Sequence, residues 1–226
     1  MKIPGILSFM CLALATTSYA QVGFKLKAGA SLTNVTFNED INTQYPGNFT
    51  YGSKAGVVIG LAAEIPLDSN KFTLQAELLF HQKGYTSRYS DTETSSSYTT
   101  TLNYLDIPVM ARIKLGHFTL GAGPYFAFGV GGKYKGTDSY LGYSAENEGN
   151  VKFGKEPTGY CGSNLYANAF DFGFVAAAGV KISVIEIDLR YGLGLIDISD
   201  HHDLDTRTLN RSLQLTVGLP IVPKRK

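Results

Sequence analysis

The sequence predicts an all-β protein, an eight-stranded antiparallel up-and-down transmembrane β-barrel, and three observations predict it. Eight stretches alternate apolar and polar residues with period two, which marks strands whose two faces meet different surroundings. Their polar faces hold full charges and glycines in mid-strand, while their apolar faces carry almost no charge: Leu26, Ala28, Ala30 and Leu32 interleave with Lys25, Lys27, Gly29 and Ser31. A soluble sandwich turns its apolar face to a core, whereas a barrel in lipid turns it outward and lines its lumen with the polar one. The connections also alternate, long after strands one, three, five and seven and short after two, four and six, as membrane barrels do. Both chain ends on the short-turn side require an even strand count, and eight satisfies it.

The elements follow in order. The first strand covers about residues 24–35. The second, about 54–65, sets Ala55, Val57, Ile59, Leu61 and Ala63 against Gly56, Val58, Gly60, Ala62 and Glu64. Pro66 to Asn70 has turn composition. The third strand, about 71–84, puts Phe72, Leu74, Ala76, Leu78 and Phe80 outward and Thr73, Gln75, Glu77, Leu79, His81 and Lys83 inward, and a Ser/Thr-rich loop is expected over about 85–99. The fourth, about 102–115, shows Leu105, Ile107, Val109, Ala111 and Ile113 opposite Asp106, Pro108, Met110, Arg112 and Lys114; Pro108 has no N–H to donate, so a bulge or irregularity is expected there. After the short turn Gly116-His117, the fifth strand covers about 118–133. The longest loop is expected over 134–168. The sixth strand, 169–182, and the seventh, 184–195, meet at a very tight turn at Ser183. A charged loop over 197–207 precedes the last strand, about 208–221. Phe24, Phe72 and Phe118 fall at one rim, and Phe80, Phe128, Phe170 and Tyr191 near the other, where interfacial girdles belong.

The chain starts as a signal peptide does. Lys2 gives the positive region, residues 6–15 the short apolar one, and Ser18-Tyr19-Ala20 the cleavage site. Residues 1–20 are therefore expected to be a signal peptide and 21–226 one barrel domain. Removing the signal takes away Lys2 and no acid, so 20 basic and 19 acidic side chains become 19 and 19. A neutral balance argues against nucleic acid or another polyanion as the main partner. Cys161 is then the one remaining cysteine, which excludes an internal disulfide and reads as a passive loop thiol.

An eight-stranded interior is just wide enough for side chains to fill it. Charges of both signs on the inward faces should pair and plug it, because an unpaired buried charge is costly. Glu77, Asp106, Arg112, Asp188 and Arg190 are the expected centre of that network. His81 and Glu77 lie on one face and are read either as a proton-transfer pair or as members of the ion-pair network. In the longest loop Tyr134, Tyr140, Tyr143, Tyr160 and Tyr166 stand among Gly, Ser and Asn, a composition suited to a contact surface. Shortening residues 137–164 is expected to leave the barrel intact.

Gly23 to Phe37 (GFKLKAGASLTNVTF), Leu74 to Tyr85 (LQAELLFHQKGY), Leu102 to Met110 (LNYLDIPVM), Phe118 to Tyr125 (FTLGAGPY), Ile187 to Gly194 (IDLRYGLG) and Leu213 to Leu219 (LQLTVGL) resemble the PorT-like outer-membrane β-barrel domain family of Bacteroidetes. The resemblance covers nearly the whole mature chain. It implies a bacterial outer-membrane barrel with periplasmic termini and extracellular long loops, and a family member that serves as accessory to a gliding-type protein-secretion system. The chain departs from the barrel pattern at its end, Leu219 to Lys226 (LPIVPKRK), which lacks a terminal aromatic residue.

No catalytic, cofactor or metal motif is diagnostic. His201 and His202 among Asp197, Asp200, Asp203 and Asp205 could ligate a metal or act as an acid–base pair, yet no ligand spacing here is diagnostic and a solvated loop has the same composition. Gly129 to Lys133 (GVGGK) is not a phosphate loop, since Tyr134 stands where Ser or Thr is required. The leading expectation is a non-enzymatic envelope protein without cofactor, in contact with outer-membrane lipid and with other envelope or secretion proteins. A small solute channel and a surface hydrolase using the loop His and Asp residues are the alternatives.

Overall fold

The structure, a computed structural model, describes residues 22–37, 48–68, 71–155, 157, 162–199 and 208–221. The described residues form ten strands: β1 (Gly23–Phe37), β2 (Asn48–Asp68), β3 (Phe72–Ser90), β4 (Thr94–Leu115), β5 (Phe118–Tyr140), β6 (Tyr143–Phe153), β7 (Leu165–Ala167), β8 (Phe170–Ile182), β9 (Ile185–Gly194) and β10 (Thr208–Pro220). Eight of them close a ring in the order β4-β3-β2-β1-β10-β9-β8-β5, and β5 returns to β4. All ring pairs are antiparallel. Closure matters because hydrocarbon offers no partner to an unpaired N–H or C=O, and a ring has no edge. The protein is an eight-stranded β-barrel.

The predicted faces hold along every ring strand. Leu26, Leu61, Leu78, Leu120, Phe174, Leu189 and Leu215 point outward and are exposed, with Phe118 at 64 %. Lys27, Gln75, His81, Tyr104 and Thr216 point inward and are fully buried. Phe126 stacks near Phe172 with ring centroids 5.0 Å apart, and Phe128 near Phe170 at 5.3 Å, so the outer belt also packs laterally. Short turns gather at one end. Gly116 (φ 66°) lies between paired Leu115 and Phe118, and Ser183 (φ 57°) between paired Ile182 and Ile185. This turn end also holds Val22 and Ile221.

At the other end the sequence reading needs correction. The Ser/Thr-rich stretch and much of the longest loop are strand. β3 and β4 stay paired up to Ser90 and Ser95, so only residues 91–93 turn. β5 continues to Tyr140 and returns as β6, with Leu141 (φ 48°) and Gly142 (φ 85°) between paired Tyr140 and Tyr143, a two-residue turn with both residues left-handed. β7 pairs parallel to β6 at Val151, Lys152 and Phe153. Thr and Tyr favour strands on their own, and here they do so without the apolar alternation that marks a lipid-facing segment. Four ring strands thus rise past the others as an open sheet, extended by β6.

Pro108 does not displace the register. Leu105 pairs with Phe128 and Ala111 with Ala122 in the same register, although the positions between are only partly paired. The bulge lies instead on β5, where Asn103 faces Gly131 and the next residue, Tyr104, faces Gly129. Glycines on both sides of Val130 absorb the extra residue.

Cysteines placed singly at Leu189 and Phe172, in an otherwise cysteine-free mature chain, should react with lipid-phase probes in native membranes and escape aqueous ones. Aqueous labelling of both would contradict the outward apolar belt.

Candidate functional site

The inward faces bring twelve ionised side chains into one narrow column. Starting at the turn end, Lys114 pairs with Glu64 (2.6 Å), Glu64 with Lys25 (3.0 Å), and Lys25 with Glu186 (2.6 Å). Glu186 accepts from Arg112, which pairs with Asp188 (2.6 Å). Asp188 pairs with Lys27 (2.8 Å), Lys27 with Glu77 (2.9 Å), and Glu77 with Arg190 (2.7 Å). Signs alternate at each step. Arg112 also donates to Gln75 and Thr119, both at 2.7 Å, so its fork is fixed by neutral partners as well. Gly179 makes room for this arrangement, because a Cβ there would run into the Asp188 carboxylate and the Thr119 hydroxyl.

A second cluster lies farther from the turn end. Lys83 sits between Asp106 (3.2 Å) and Asp171 (3.1 Å), and its ammonium is 4.8 Å from the ring centroids of both Tyr104 and Tyr125. Tyr125 and Asn210 donate to Asp171 at 3.1 and 2.9 Å. His81 meets Asp106 through Nδ1 at 2.8 Å. The sequence pairing of His81 with Glu77 therefore does not form; four residues along a strand span about 13 Å, too far for direct contact. Between the clusters, the space among Lys83, Asp106, Tyr125, Arg190 and Gln214 is about 10 Å³, no more than one water position.

The five luminal residues expected from sequence are all buried and all paired, but not in one network. Glu77, Arg112, Asp188 and Arg190 belong to the long chain and Asp106 to the second cluster. Lys25, Lys27, Glu64, Lys83, Lys114, Asp171 and Glu186 complete the set. Their signal was present, since each sits on an inward face, but which residue crosses to which depends on the tilt of the strands around the ring. Six cations and six carboxylates balance.

Beyond the second cluster the column turns apolar. Val35, Leu102, Val151, Ala167 and Ile198 are buried together, and Phe153 packs edge-on to Tyr104 with centroids 5.3 Å apart. Val151 and Phe153 come from β6 and Ala167 from β7, so the segment read as a free loop caps the lumen. Removing residues 137–164 would take Val151 and Phe153 out of this cap. A cavity of about 200 Å³ remains beside it, with Tyr51, Tyr85, Tyr166 and Ser199 in its wall.

The tyrosines of the expected contact loop separate. Tyr134 is half-buried against the cap and donates to the Ser163 carbonyl at 2.6 Å. Tyr166 is partly buried beside the cavity. Tyr140 and Tyr143 stand exposed at the hairpin tip, Tyr143 at 84 %. Tyr160, Cys161, His201 and His202 lie outside the described residues. The register sets Phe49, Tyr51, Tyr85, Tyr89 and Tyr98 on the same face of the raised sheet as Tyr134, and sequence reading missed them. Their alternation with Ser87 and Ser96 was the available signal. Near the tip, Tyr98 and Asn147 both donate to Asp138, Asn147 at 2.8 Å. Asp197 is occupied in turn formation, accepting from Ser199 and Thr208 backbone N–H groups at 2.9 and 3.0 Å. Among the described residues no group of three His, Cys, Asp or Glu side chains could hold a metal ion.

The family model described as outer membrane protein beta-barrel domain matches residues 15–200. Among solved structures, Neisserial surface protein A (NspA) is similar at 10 % identity and a TM-score of 0.45, covering 88 % of this chain and 98 % of that one. Ail, the attachment invasion locus protein of Yersinia pestis, solved with the heparin analogue sucrose octasulfate, is similar at 10 % identity and 0.41, covering 89 % and 99 %. OprG of Pseudomonas aeruginosa is similar at 10 % and 0.34, covering 89 % and 97 %. No curated protein matches the chain significantly.

Glu77→Gln leaves Arg190 without its carboxylate, whereas Arg190→Met leaves Glu77 still paired to Lys27. The first should destabilise the barrel by about 3–5 kcal/mol, the second by less, and the double variant by less than the sum. Denaturant unfolding in detergent measures all three, and strict additivity would show that the pair is not coupled. At the hairpin tip, donors from Ser96, Tyr98 and Asn147 hold the Asp138 carboxyl below its usual range. A folded value below the unfolded one, about 3.9, means that the ionised group supports the hairpin above that pH and loses this contribution as pH falls through the folded value. Amide protection in the β5–β6 hairpin should decline on acidification, and Asp138→Asn should remove that decline.

Proposed function

The chain belongs to the outer membrane protein beta-barrel domain family, and from that premise we propose that it is a non-enzymatic envelope protein that displays a rigid extracellular sheet to a partner. The raised sheet of β2 to β6 carries this reading. A channel has reason to keep its lumen open and its extracellular connections clear of the mouth. Here the lumen is filled by paired charges, the space left among Lys83, Asp106, Tyr125, Arg190 and Gln214 is about 10 Å³, and β6 and β7 lie over the mouth. What the chain builds outside the belt is a sheet whose backbone is ordered by pairing, with Tyr140, Leu141 and Tyr143 exposed at its tip. Aromatic side chains offer large contact area at low entropic cost.

The orientation proposed with this reading puts the turn end in the periplasm and the raised sheet outside, in line with short periplasmic turns and longer extracellular segments. Residues 1–20 act as the export signal and are removed. The resemblance to the PorT-like family makes a secretion or transport machine of the envelope the partner of choice. The ionisable groups best placed for chemistry are committed to one another in the lumen, which favours a scaffold over a hydrolase.

Replacing residues 138–145 by a Gly/Ser turn removes the exposed tip and keeps Val151 and Phe153. The variant should retain heat-modifiable migration and lose co-purification with its envelope partner under mild solubilisation. Unchanged partner capture would refute the contact role. Planar-bilayer recordings of the unmodified protein should show no steady conductance, and a reproducible open state would favour the channel instead.

A further inference from the structure

The raised sheet ends in an edge that is only partly covered. β6 pairs with β5 from Tyr143 to Val151, but β7 lies along its other side only at Val151, Lys152 and Phe153. Residues 143–148 are exposed, and among the described residues no strand lies beside them there.

Two observations fix which backbone groups face outward. Leu141-Gly142 is a two-residue turn, so Tyr140 and Tyr143 exchange both ladder bonds, and the alternation of an antiparallel pair commits Ala145 and Asn147 to β5 as well. Ser144, Glu146 and Glu148 then point their N–H and C=O groups away from β5. At the other end of β6, Gly154, of the same parity, donates its N–H to the Ala167 carbonyl of β7 at 2.9 Å. The even-numbered positions therefore face the β7 side throughout, and β7 itself shows that this side accepts an added strand. No Pro interrupts residues 143–151, and their register with β5 is unbroken.

The side chains along this edge select its occupant. Ser144, Glu146 and Glu148 share one face of β6. Lys135 stands opposite Glu148, yet neither Glu146 nor Glu148 forms an ion pair among the described residues. A second copy of this chain, paired antiparallel about Asn147 to use the whole free length, would set Glu146 against Glu148 twice, and like charges directly opposite are destabilising. A strand with Lys or Arg at every second position instead meets both carboxylates, and its remaining residues meet the uncharged Ala145 and Asn147.

We propose that β6 takes up an extended basic segment of a partner polypeptide as an added strand. Ser144, Glu146 and Glu148 supply the ladder groups, and the two glutamates select the cationic side chains. This deepens the contact role given above and rests on it for the existence of a partner. Edge and tip are separable, because a change at Glu146 leaves Tyr140, Leu141 and Tyr143 in place.

The test is binding of a fluorescein-labelled hexapeptide of alternating Thr and Lys to the folded full-length barrel in detergent, read by anisotropy and by amide exchange. Saturable binding is expected. Bound peptide should slow exchange at the Ser144, Glu146 and Glu148 amides and leave Ala145 and Asn147, already paired to β5, unchanged. The fully N-methylated peptide keeps every side-chain charge and loses every N–H, so it should bind about tenfold more weakly or worse. Glu146→Pro removes an N–H that β5 does not use, so the hairpin should persist, and heat-modifiable migration checks the barrel. It should weaken binding by about tenfold or more, and Glu146→Gln, which removes the charge alone, by less. No saturable binding, equal binding of the N-methylated peptide, or unprotected Ser144, Glu146 and Glu148 amides at saturation would overturn the added strand. Dimerisation of the unliganded barrel that Glu146→Pro abolishes would overturn the partner in favour of a second copy. Failure at the edge, with envelope-partner capture still lost on replacing the tip, would overturn this site and leave the contact role standing.

Discussion

A barrel that spans lipid has to satisfy its backbone by closing, and closing eight strands leaves an interior too narrow to hydrate charge. Every ionised group that the inward faces carry must then find its counter-charge inside the wall. Most features of this chain follow from that constraint. Gly121 sits inward because a Cβ there would run into the Arg112 side chain, and Gly179 because one there would meet the Asp188 carboxylate. Arg112 contacts two carboxylates, a glutamine and a threonine because a guanidinium buried beside one partner alone would leave donors unmet. The alternating run from Lys114 to Arg190 keeps each carboxylate between two cations, which lets several lysines be buried together without mutual repulsion deciding the fold.

The same chain inverts its polarity once it leaves the apolar belt. Within the belt, Leu and Phe face out while charges face in. In the raised sheet, Ser95, Ser97 and Thr99 take the outer side of β4, and Tyr98 and Thr100 the inner one. Water now replaces lipid as the outer solvent, so the apolar surface moves inside, where Phe49 meets Tyr89 at 4.7 Å and Tyr51 meets Tyr85 at 6.2 Å. The bulge opposite Asn103 and Tyr104 falls at this changeover, and the lumen there passes from ion pairs to the apolar cap.

This changeover also marks how far the sequence could be read. The faces of all eight ring strands were legible, because contrast between Leu and Lys at alternate positions survives any choice of register. The extensions were not, because Ser, Thr and Tyr alternating with one another look like loop composition although they favour strand. The turn Leu141-Gly142 adds to the difficulty, since a leucine with positive φ is no turn signal. In the lumen, residue type and face identified the participants, but His81 meets Asp106 on the neighbouring strand β4, diagonal to its register partner Tyr104, rather than Glu77 on its own strand.

Net charge shows the same limit at the level of the whole molecule. The luminal set contributes nothing to it, because its six cations and six carboxylates cancel. What remains is mixed at both ends: in the raised sheet and its surroundings Asp91, Glu93, Asp138, Glu146, Glu148 and Asp197 stand among Arg88, Lys133, Lys135, Lys152, Lys155 and Arg211, and the turn end holds Lys71 and Lys181 with Asp68. An equal count of acids and bases therefore describes a cancelled interior and two ends whose charges are arranged locally. Since fields at a surface fall off within about 10 Å at ordinary ionic strength, a partner at either end meets the local charge and not the sum.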